Sequence, residues 1–154
     1  MKRGLIKFAG NSKLTEVSIR YNGELFTFNL FEETKINQNR LNDEALKQPS
    51  SYSFLVMLHK KLIAKVAKRD NECKRKYAEL YIKYKHQTNN DTGRLNSDDL
   101  CREMVIANPI YQKMEDRLEL ARKDESIIGA CVKAFEQRQS LIQTISANTR
   151  RENN

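Results

Sequence analysis

Residues 51–85 read SYSFLVMLHKKLIAKVAKRDNECKRKYAELYIKYK, and their pattern is the main indication of the fold. It contains no Gly or Pro, and one largely apolar set of positions recurs every three or four residues: Tyr52, Leu55, His59, Leu62, Val66, Arg69, Cys73, Tyr77, Leu80 and Tyr84. That period is typical of a helix that buries one stripe of its surface. The stretch therefore predicts a single long amphipathic helix.

A second stripe of similar length follows a polar loop near residue 90. Asn96 or Ser97 is expected to cap a short helix that ends at Asn108-Pro109, because Pro suits the first position of a new helix better than the interior of an old one. The next helix carries the second stripe and is expected to fray after Ser146: Ile110, Met114, Leu118, Ala121, Glu125, Ile128, Val132, Phe135, Gln139 and Ile142. Two such stripes predict an antiparallel helical hairpin with a short helix between its arms.

Near the N-terminus the apolar period changes from that of a helix to that of a strand. Apolar residues alternate with polar ones on either side of Asn22-Gly23: Val17, Ile19 and Tyr21 before it, and Phe26, Phe28 and Leu30 after it. Asn-Gly favours a type I′ turn, since both central positions take a positive φ. Residues 14–21 and 24–30 are therefore predicted to form a β-hairpin.

Together these patterns predict a mainly α fold with a small N-terminal β-hairpin. The expected segments are a basic flexible arm (1–13), the β-hairpin (14–31), a linker with a short helix (32–50), the helical hairpin domain (51–148) and a polar tail (149–154). The short helix, over residues 42–47, is expected to stop at Gln48-Pro49 because the residue before Pro disfavours helical backbone. Ser50 and Ser51 can then cap the long helix.

Positive charge is concentrated on the first long helix. Residues 60–85 hold ten Lys and Arg against three Asp and Glu, and the whole chain carries a net charge of +8. Charge clustered on one element is typical of proteins that bind a phosphate backbone. Tyr81 is the aromatic expected to be free to stack on a base, because Tyr77 and Tyr84 complete the apolar stripe. The predicted nucleic-acid contacts are Lys60, Lys61, Lys65, Lys68, Lys74, Arg75, Lys76, Tyr81 and Lys83.

The same basic face has a second interpretation, in which it is simply a solvated helix surface. Glu72–Lys76 and Glu79–Lys83 have the spacing of well-oriented i,i+4 ion pairs and support this alternative. Such pairs would neutralise at most two of the ten positive charges. We therefore favour phosphate binding.

Each apolar stripe is interrupted near its middle by one charged residue. An antiparallel register that places Tyr84 opposite Ile110 also places Arg69 opposite Glu125. We therefore predict a partly buried Arg69–Glu125 pair that sets the alignment of the two helices. Two single-stripe helices enclose only a thin core, so a homo-oligomer is expected to cover more of the apolar surface.

Several classes of site have no support in the sequence. Cys73, Cys101 and Cys131 are widely spaced without a C-x-x-C pair, so no metal site is expected, and His59 is expected at the edge of the interior. There is no phosphate-binding loop or hydrolase motif, which predicts a protein that is not an enzyme and has no cofactor. No stretch matches a membrane span or a signal peptide. The expected location is cytoplasmic, in the host cell if a phage encodes the chain.

Six runs in the helical region, taken in their order along the chain, carry a family resemblance: Gln48-Pro49-Ser50-Ser51-Tyr52-Ser53-Phe54, Ala78-Glu79-Leu80-Tyr81, Leu95-Asn96-Ser97-Asp98-Asp99, Asn108-Pro109-Ile110-Tyr111, Phe135-Glu136-Gln137-Arg138-Gln139-Ser140-Leu141-Ile142 and Ser146-Ala147-Asn148-Thr149-Arg150-Arg151-Glu152. The region resembles small phage recombination mediators of the UvsY type over roughly residues 49–152. The β-hairpin departs from the family core.

The resemblance implies a helical, oligomeric protein that binds single-stranded DNA and helps a recombinase displace single-strand-binding protein and load. Carried over by position, the DNA contacts that it implies are Lys60, Lys61, Lys65, Lys68 and Arg75. We therefore predict a recombination mediator whose partners are single-stranded DNA, a recombinase and single-strand-binding protein. The alternative is a helical structural, adaptor or virion-assembly protein that acts through protein–protein contacts.

Overall fold

The computed structural model describes residues 16–89 and 93–152. Its elements, in order, are strands β1 (Glu16–Tyr21) and β2 (Glu24–Asn29), helix α1 (Leu30–Thr34), a 3₁₀ helix (Gln38–Arg40), and helices α2 (Leu41–Lys85), α3 (Asp98–Ile106) and α4 (Pro109–Glu152). The predicted fold class, mainly α with a short helix between two long ones and a small β-hairpin, is confirmed. The predicted arm (1–13), the first two residues of the predicted hairpin and the last two of the tail lie outside the described residues.

The β-hairpin forms as its alternating pattern predicts. Asn22 and Gly23 have φ of 50° and 87°, the positive values that a type I′ turn requires, and β1 pairs with β2 in antiparallel register. On the face that carries Val17 and Ile19, both of these side chains are buried. Strand β2 ends one residue earlier than predicted, because the Asn29 side chain caps α1 by accepting hydrogen bonds from its first turn.

Helix α2 passes through Pro49, so the predicted stop at Gln48-Pro49 is wrong. Pro49 is exposed and removes one backbone hydrogen bond from the helix. Beside it, Gln48 is 5% exposed and its side-chain amide donates to the Phe135 carbonyl at 2.8 Å. The buried Arg138 guanidinium donates to both Gln48 and Glu44. These long-range bonds hold the first turns of α2 in helical form against the local effect of Pro49.

The chain divides into two compact units, which are described separately. Unit 1 runs to Val56 and resumes at Ile127, so it contains the β-hairpin, the first part of α2 and the end of α4. The rings of Phe26 and Phe54 lie 5.6 Å apart, which joins the hairpin to α2. Helix α4 continues beyond the predicted fraying point. The buried apolar side chains of this unit are Val17, Ile19, Leu55, Ile128, Cys131, Val132, Phe135 and Ile142.

Unit 2, Met57–Ser126, contains the rest of α2, all of α3 and the first part of α4. Ser97 caps α3 and Pro109 begins α4, as predicted, and the Asn108 side chain accepts hydrogen bonds from the first turn of α4. Its core cluster comprises buried Cys73, Leu80, Val105, Tyr111 and Leu118, with Val66, Tyr77, Tyr81, Tyr84 and Met114 packed against them. Both long helices therefore bury the stripes that the sequence predicts.

The predicted Arg69–Glu125 pair is wrong. Glu125 instead contacts His59, with 2.7 Å between its Oε1 and the imidazole Nε2, and the Arg69 guanidinium donates to the backbone carbonyl of Arg117. Arg122 pairs with Asp70 at 3.1 Å. Consecutive residues point about 100° apart on a helix, so Arg69 and Asp70 contact opposite flanks of α4. Arg69 and Asp70 therefore contact the two sides of α4, and Arg69 does not lie opposite Glu125.

Candidate nucleic-acid interface

All nine predicted nucleic-acid contacts lie on the part of α2 that belongs to unit 2. Six of them are exposed: Lys60, Lys61, Lys68, Lys74, Arg75 and Lys83. The other three, Lys65, Lys76 and Tyr81, are half-buried. The helix therefore presents most of these charges to solvent, where they can reach a phosphate backbone.

Helical geometry divides the basic residues between two sides of α2. Successive residues of a helix are rotated by about 100°, so the angle of each residue around the axis can be measured from the buried Leu62 and Leu80. Six of the basic residues then fall on one side of the helix. This side, called the basic flank below, consists of Lys61, Lys65, Lys68, Arg75, Lys76 and Lys83. Lys60 and Lys74 fall on the other side. The helix therefore presents the basic residues to two surfaces.

Ion pairs neutralise only part of this charge. Lys74 pairs with Asp70 at 2.6 Å, and Lys76 pairs with Glu79 at 2.7 Å, three positions along the helix. The predicted Glu72–Lys76 and Glu79–Lys83 pairs are therefore wrong. Within the described ranges, four of the basic side chains form no hydrogen bond or ion pair: Lys60, Lys68, Arg75 and Lys83. These charges need no rearrangement before they contact a phosphate.

Tyr81 is held more tightly than the sequence suggests. Its ring stacks on that of Tyr77, with centroids 6.3 Å apart and planes 12° apart, and it packs against the core of unit 2. A hydrogen bond to Asp98 raises the pKa of the Tyr81 hydroxyl, and the same carboxylate binds Lys85 at 2.5 Å. The expectation that Tyr81 lies free of the core is wrong. One face of its ring is already covered.

Sequence reasoning missed a basic cleft beside the basic flank. Arg69 of α2 reaches α4 through its bond to the Arg117 carbonyl, and Lys113 lies one helical turn before Arg117. The cleft has a volume of about 310 Å³ and is lined by Arg69, Glu72, Cys73, Ile110, Lys113, Met114 and Arg117. The i,i+4 spacing of Lys113 and Arg117 was the available signal. It was hidden because α4 as a whole is close to neutral.

The remaining titratable groups of the described residues include three cysteines. The three cysteines are free and buried, and burial raises the thiol pKa of Cys73 and of Cys131, which keeps both neutral. Across residues 16–89 and 93–152, no three His, Cys, Asp or Glu side chains are placed to hold a metal ion. In the same ranges, none of the helices has the length and apolar content of a membrane span.

Three crystal structures of the bacteriophage T4 recombination mediator protein UvsY are similar to this chain. For lattice types I, II and IV, the TM-scores are 0.65, 0.63 and 0.63 and the sequence identities are 15%, 16% and 15%. The matches cover 80–81% of this chain and 92–95% of the UvsY chains. No family model matches the sequence, and no curated protein matches it.

The chain therefore has a UvsY-like fold, as the resemblance in its helical region implied. The match also covers more than the predicted region of resemblance. Residues 49–152 are about two thirds of the chain, whereas 80% of it is matched. Part of the segment before Pro49 therefore belongs to the shared fold. At about 15% identity the likeness concerns the fold, and the chemistry of the site has to be argued from the side chains of this chain.

Proposed function

We propose that this UvsY-like chain is a recombination mediator that is not an enzyme, and that it binds single-stranded DNA and helps to load a recombinase. The proposal rests on one observation: a chain with a UvsY-like fold carries the basic flank on its helix α2. Fold alone is a weak guide to function, but here the six basic residues of the flank lie on the longest of the described helices. The partners proposed are single-stranded DNA, a recombinase and single-strand-binding protein, in the host-cell cytoplasm.

The proposed mechanism is electrostatic. Lys and Arg side chains on the basic flank replace counterions along the phosphate backbone, which supplies affinity without reading the base sequence. Lys68 and Arg75 are exposed and have no partner in the described ranges, so they lose little on binding. Lys61 and Lys65 lie on the same flank. A strand held along this flank is extended and accessible, which is the form that a recombinase needs.

Self-association strengthens this mechanism. A single helix offers few phosphate contacts, whereas a homo-oligomer places several basic flanks at a high effective concentration along one strand. Exposed apolar side chains on both long helices provide surface that a second copy can cover: Met57, Ile63, Ile82, Leu120 and Leu141. We therefore propose a homo-oligomer as the DNA-binding form, to be measured by light scattering during size-exclusion chromatography.

Fluorescence anisotropy with a labelled single strand tests the proposal directly. The variant Lys61→Ala/Lys65→Ala/Lys68→Ala removes three charges from the basic flank. Each phosphate contact contributes about −0.7 to the slope of log affinity against log salt for a single strand, so the slope should become shallower by about 2. The experiment is run at several salt concentrations, beside a duplex of equal length.

The matched control removes three exposed lysines that lie off the basic flank, in the variant Lys47→Ala/Lys123→Ala/Lys133→Ala. Its net charge equals that of the first variant, so any difference between them reports position rather than total charge. Equal losses in the two variants would contradict a defined DNA site on α2. Absence of single-strand binding by the wild-type chain at low salt would overturn the proposed function.

Recombinase loading needs its own measurement. A purified recombinase hydrolyses ATP on a single strand, and a coat of single-strand-binding protein blocks it. Adding the wild-type chain is expected to restore hydrolysis, and adding the Lys61→Ala/Lys65→Ala/Lys68→Ala variant is expected to restore less. If both proteins bind the strand but neither restores hydrolysis, the chain binds DNA without acting as a mediator.

One observation favours the alternative function, a structural or adaptor protein. In unit 1 a cleft of about 400 Å³ is lined mainly by apolar side chains, including Phe26, Phe28, Phe54 and Phe135. Clefts lined by aromatic residues are common sites for protein anchors. A chain that binds no nucleic acid but forms a complex through this cleft would belong to the adaptor class.

A further inference from the structure

The cleft of unit 2 combines two kinds of surface that a single DNA strand needs. Its rim carries three positive charges, from Arg69, Lys113 and Arg117, against the single carboxylate of Glu72. Its volume, about 310 Å³, lies at the lower end of the range of about 300–1,000 Å³ for small-ligand pockets. The cleft is therefore comparable in volume to the smaller pockets that bind small ligands.

The rim is preorganised for a phosphate. One N–H of the Arg69 guanidinium is used by the Arg117 carbonyl, which holds the group beside α4 and leaves further donors of its five. Lys113 has no hydrogen bond or ion pair to any described residue. A guanidinium can pair bidentately with phosphate oxygens or stack on an aromatic face.

The floor of the cleft is apolar. Ile110 is 59% exposed although it carries a branched aliphatic side chain, and Met114 lies one turn further along α4. Cys73 completes the floor as a neutral group, since burial raises the pKa of its thiol. Unstacked bases can stack on the plane of an arginine, and extruded bases are held between aromatic or apolar side chains. A base in a duplex has no free face to offer.

We propose that this cleft, between residues 69–73 of α2 and 110–117 of α4, holds one unstacked nucleotide of single-stranded DNA, with its phosphate on Arg69, Lys113 and Arg117 and its base on Ile110 and Met114. The inference rests on the proposed function and deepens it. The basic flank attracts any phosphate backbone, whereas the cleft discriminates a single strand from a duplex. It also makes α4 part of the DNA-binding surface.

Two variants separate the phosphate contact from the base contact. Lys113→Ala/Arg117→Ala removes two rim charges and should make the salt slope for labelled oligothymidylate shallower by about 1.4. Ile110→Ser should lower affinity for oligothymidylate about fivefold, while leaving affinity for an abasic strand of equal length unchanged. All three side chains are exposed, so these substitutions should not disturb the fold. Thermal melts of each variant check this.

Matched controls come from outside the cleft. Lys123→Ala/Lys133→Ala removes the same charge elsewhere on α4, and Ile106→Ser places the same polar group on an exposed isoleucine of α3. Neither control should change the salt slope or the preference for oligothymidylate over the abasic strand. The duplex affinity of the Ile110→Ser variant should equal that of the wild type.

The results distinguish failure of this inference from failure of the proposed function. If the wild type binds single strands and the Lys61→Ala/Lys65→Ala/Lys68→Ala variant binds them weakly, but both cleft variants behave like their controls, the cleft inference alone is overturned. Equal losses by the Ile110→Ser variant on oligothymidylate, the abasic strand and the duplex would also overturn it, because Ile110 would then make no contact with a base. A wild-type chain that binds no single strand would overturn both.

Discussion

Replacing Arg138 with Met tests the buried polar network of unit 1. Arg138 is 6% exposed, it donates to Gln48 and Glu44, and its buried Nε has no partner within the described residues. Met has a similar length and no charge, so the substitution removes the hydrogen bonds while it keeps much of the volume. Gln48 and Glu44 are then left without their donor. The network beside Pro49 should weaken as a result.

The magnitude follows from those contacts. Hydrogen bonds to a charged group contribute about 1.5–3 kcal/mol each, and two are lost, whereas removing the unsatisfied Nε offsets about 1–3 kcal/mol. We expect the free energy of unfolding to fall by about 2–4 kcal/mol, close to the cost of removing one partner of a buried ion pair. In a chain of this size the melting temperature should fall by about 4–16 °C.

Urea unfolding followed by far-UV circular dichroism measures this change. Protein concentration is held constant, because self-association would shift apparent stability. Arg122→Met on the same helix is the control: Arg122 is 56% exposed, and its pair with Asp70 should contribute less than about 1 kcal/mol. If Arg138→Met costs no more than Arg122→Met, the buried network does not hold α2 helical through Pro49, and that argument is refuted.

Three further predictions concern single residues. Pro49→Ala restores a backbone hydrogen bond and should raise the free energy of unfolding by about 1–3 kcal/mol in the same urea assay. Hydrogen bonds from Lys85 and Tyr81 lower the pKa of Asp98. The stability that the Asp98 carboxylate contributes is therefore fully present above its unfolded pKa, about 4, and is lost as pH falls through the lower folded value. Asp98→Asn should flatten this acid limb in unfolding experiments at decreasing pH. Burial, with a hydrogen bond to Glu115, raises the pKa of Tyr111 to about 12, so Tyr111→Phe should remove the last phenol to ionise in an absorbance titration.

Each of these has an outcome that would contradict it. A Pro49→Ala variant that is less stable than the wild type would mean that Pro49 suits its position. Identical profiles of stability against pH for the wild type and Asp98→Asn would mean that the Asp98 carboxylate does not stabilise the fold. A phenol that still titrates near pH 12 after Tyr111→Phe would assign that value to another tyrosine.

Local patterns were sufficient for most of the elements. Asn22-Gly23 specifies its turn because positive φ is accessible to these two residues, and the alternation around it specifies the strands. Ser97 and Pro109 mark helix boundaries because capping and the missing N–H of Pro act within one turn. Pro49 is the exception. Its effect on the helix is local too, but contacts with residues almost ninety positions away outweigh it.

The candidate site was only half visible in the sequence. The charge on α2 could be counted along the chain, and its residues do lie on the surface of one helix. The stacking of Tyr81 on Tyr77 was not visible, since it depends on how the two rings pack against the core of unit 2. Lys113 and Arg117 were overlooked because the acidic residues of α4 bring a charge count over the whole helix close to zero.

The periods of the two long helices, the hairpin turn, the caps and the clustering of positive charge on α2 can be read from the sequence alone. These features depend on interactions between residues a few positions apart, which any stretch of chain carries with it. Tertiary packing accounts for the continuation of α2 through Pro49, for the contacts of Glu125 with His59 and of Arg69 with Arg117, and for the cleft that α4 shares with α2. Those outcomes depend on how the two apolar stripes pack. Burial of the stripes selects one rotation and one register of the two helices. The charged side chains then pair with the polar groups that this register brings close to them.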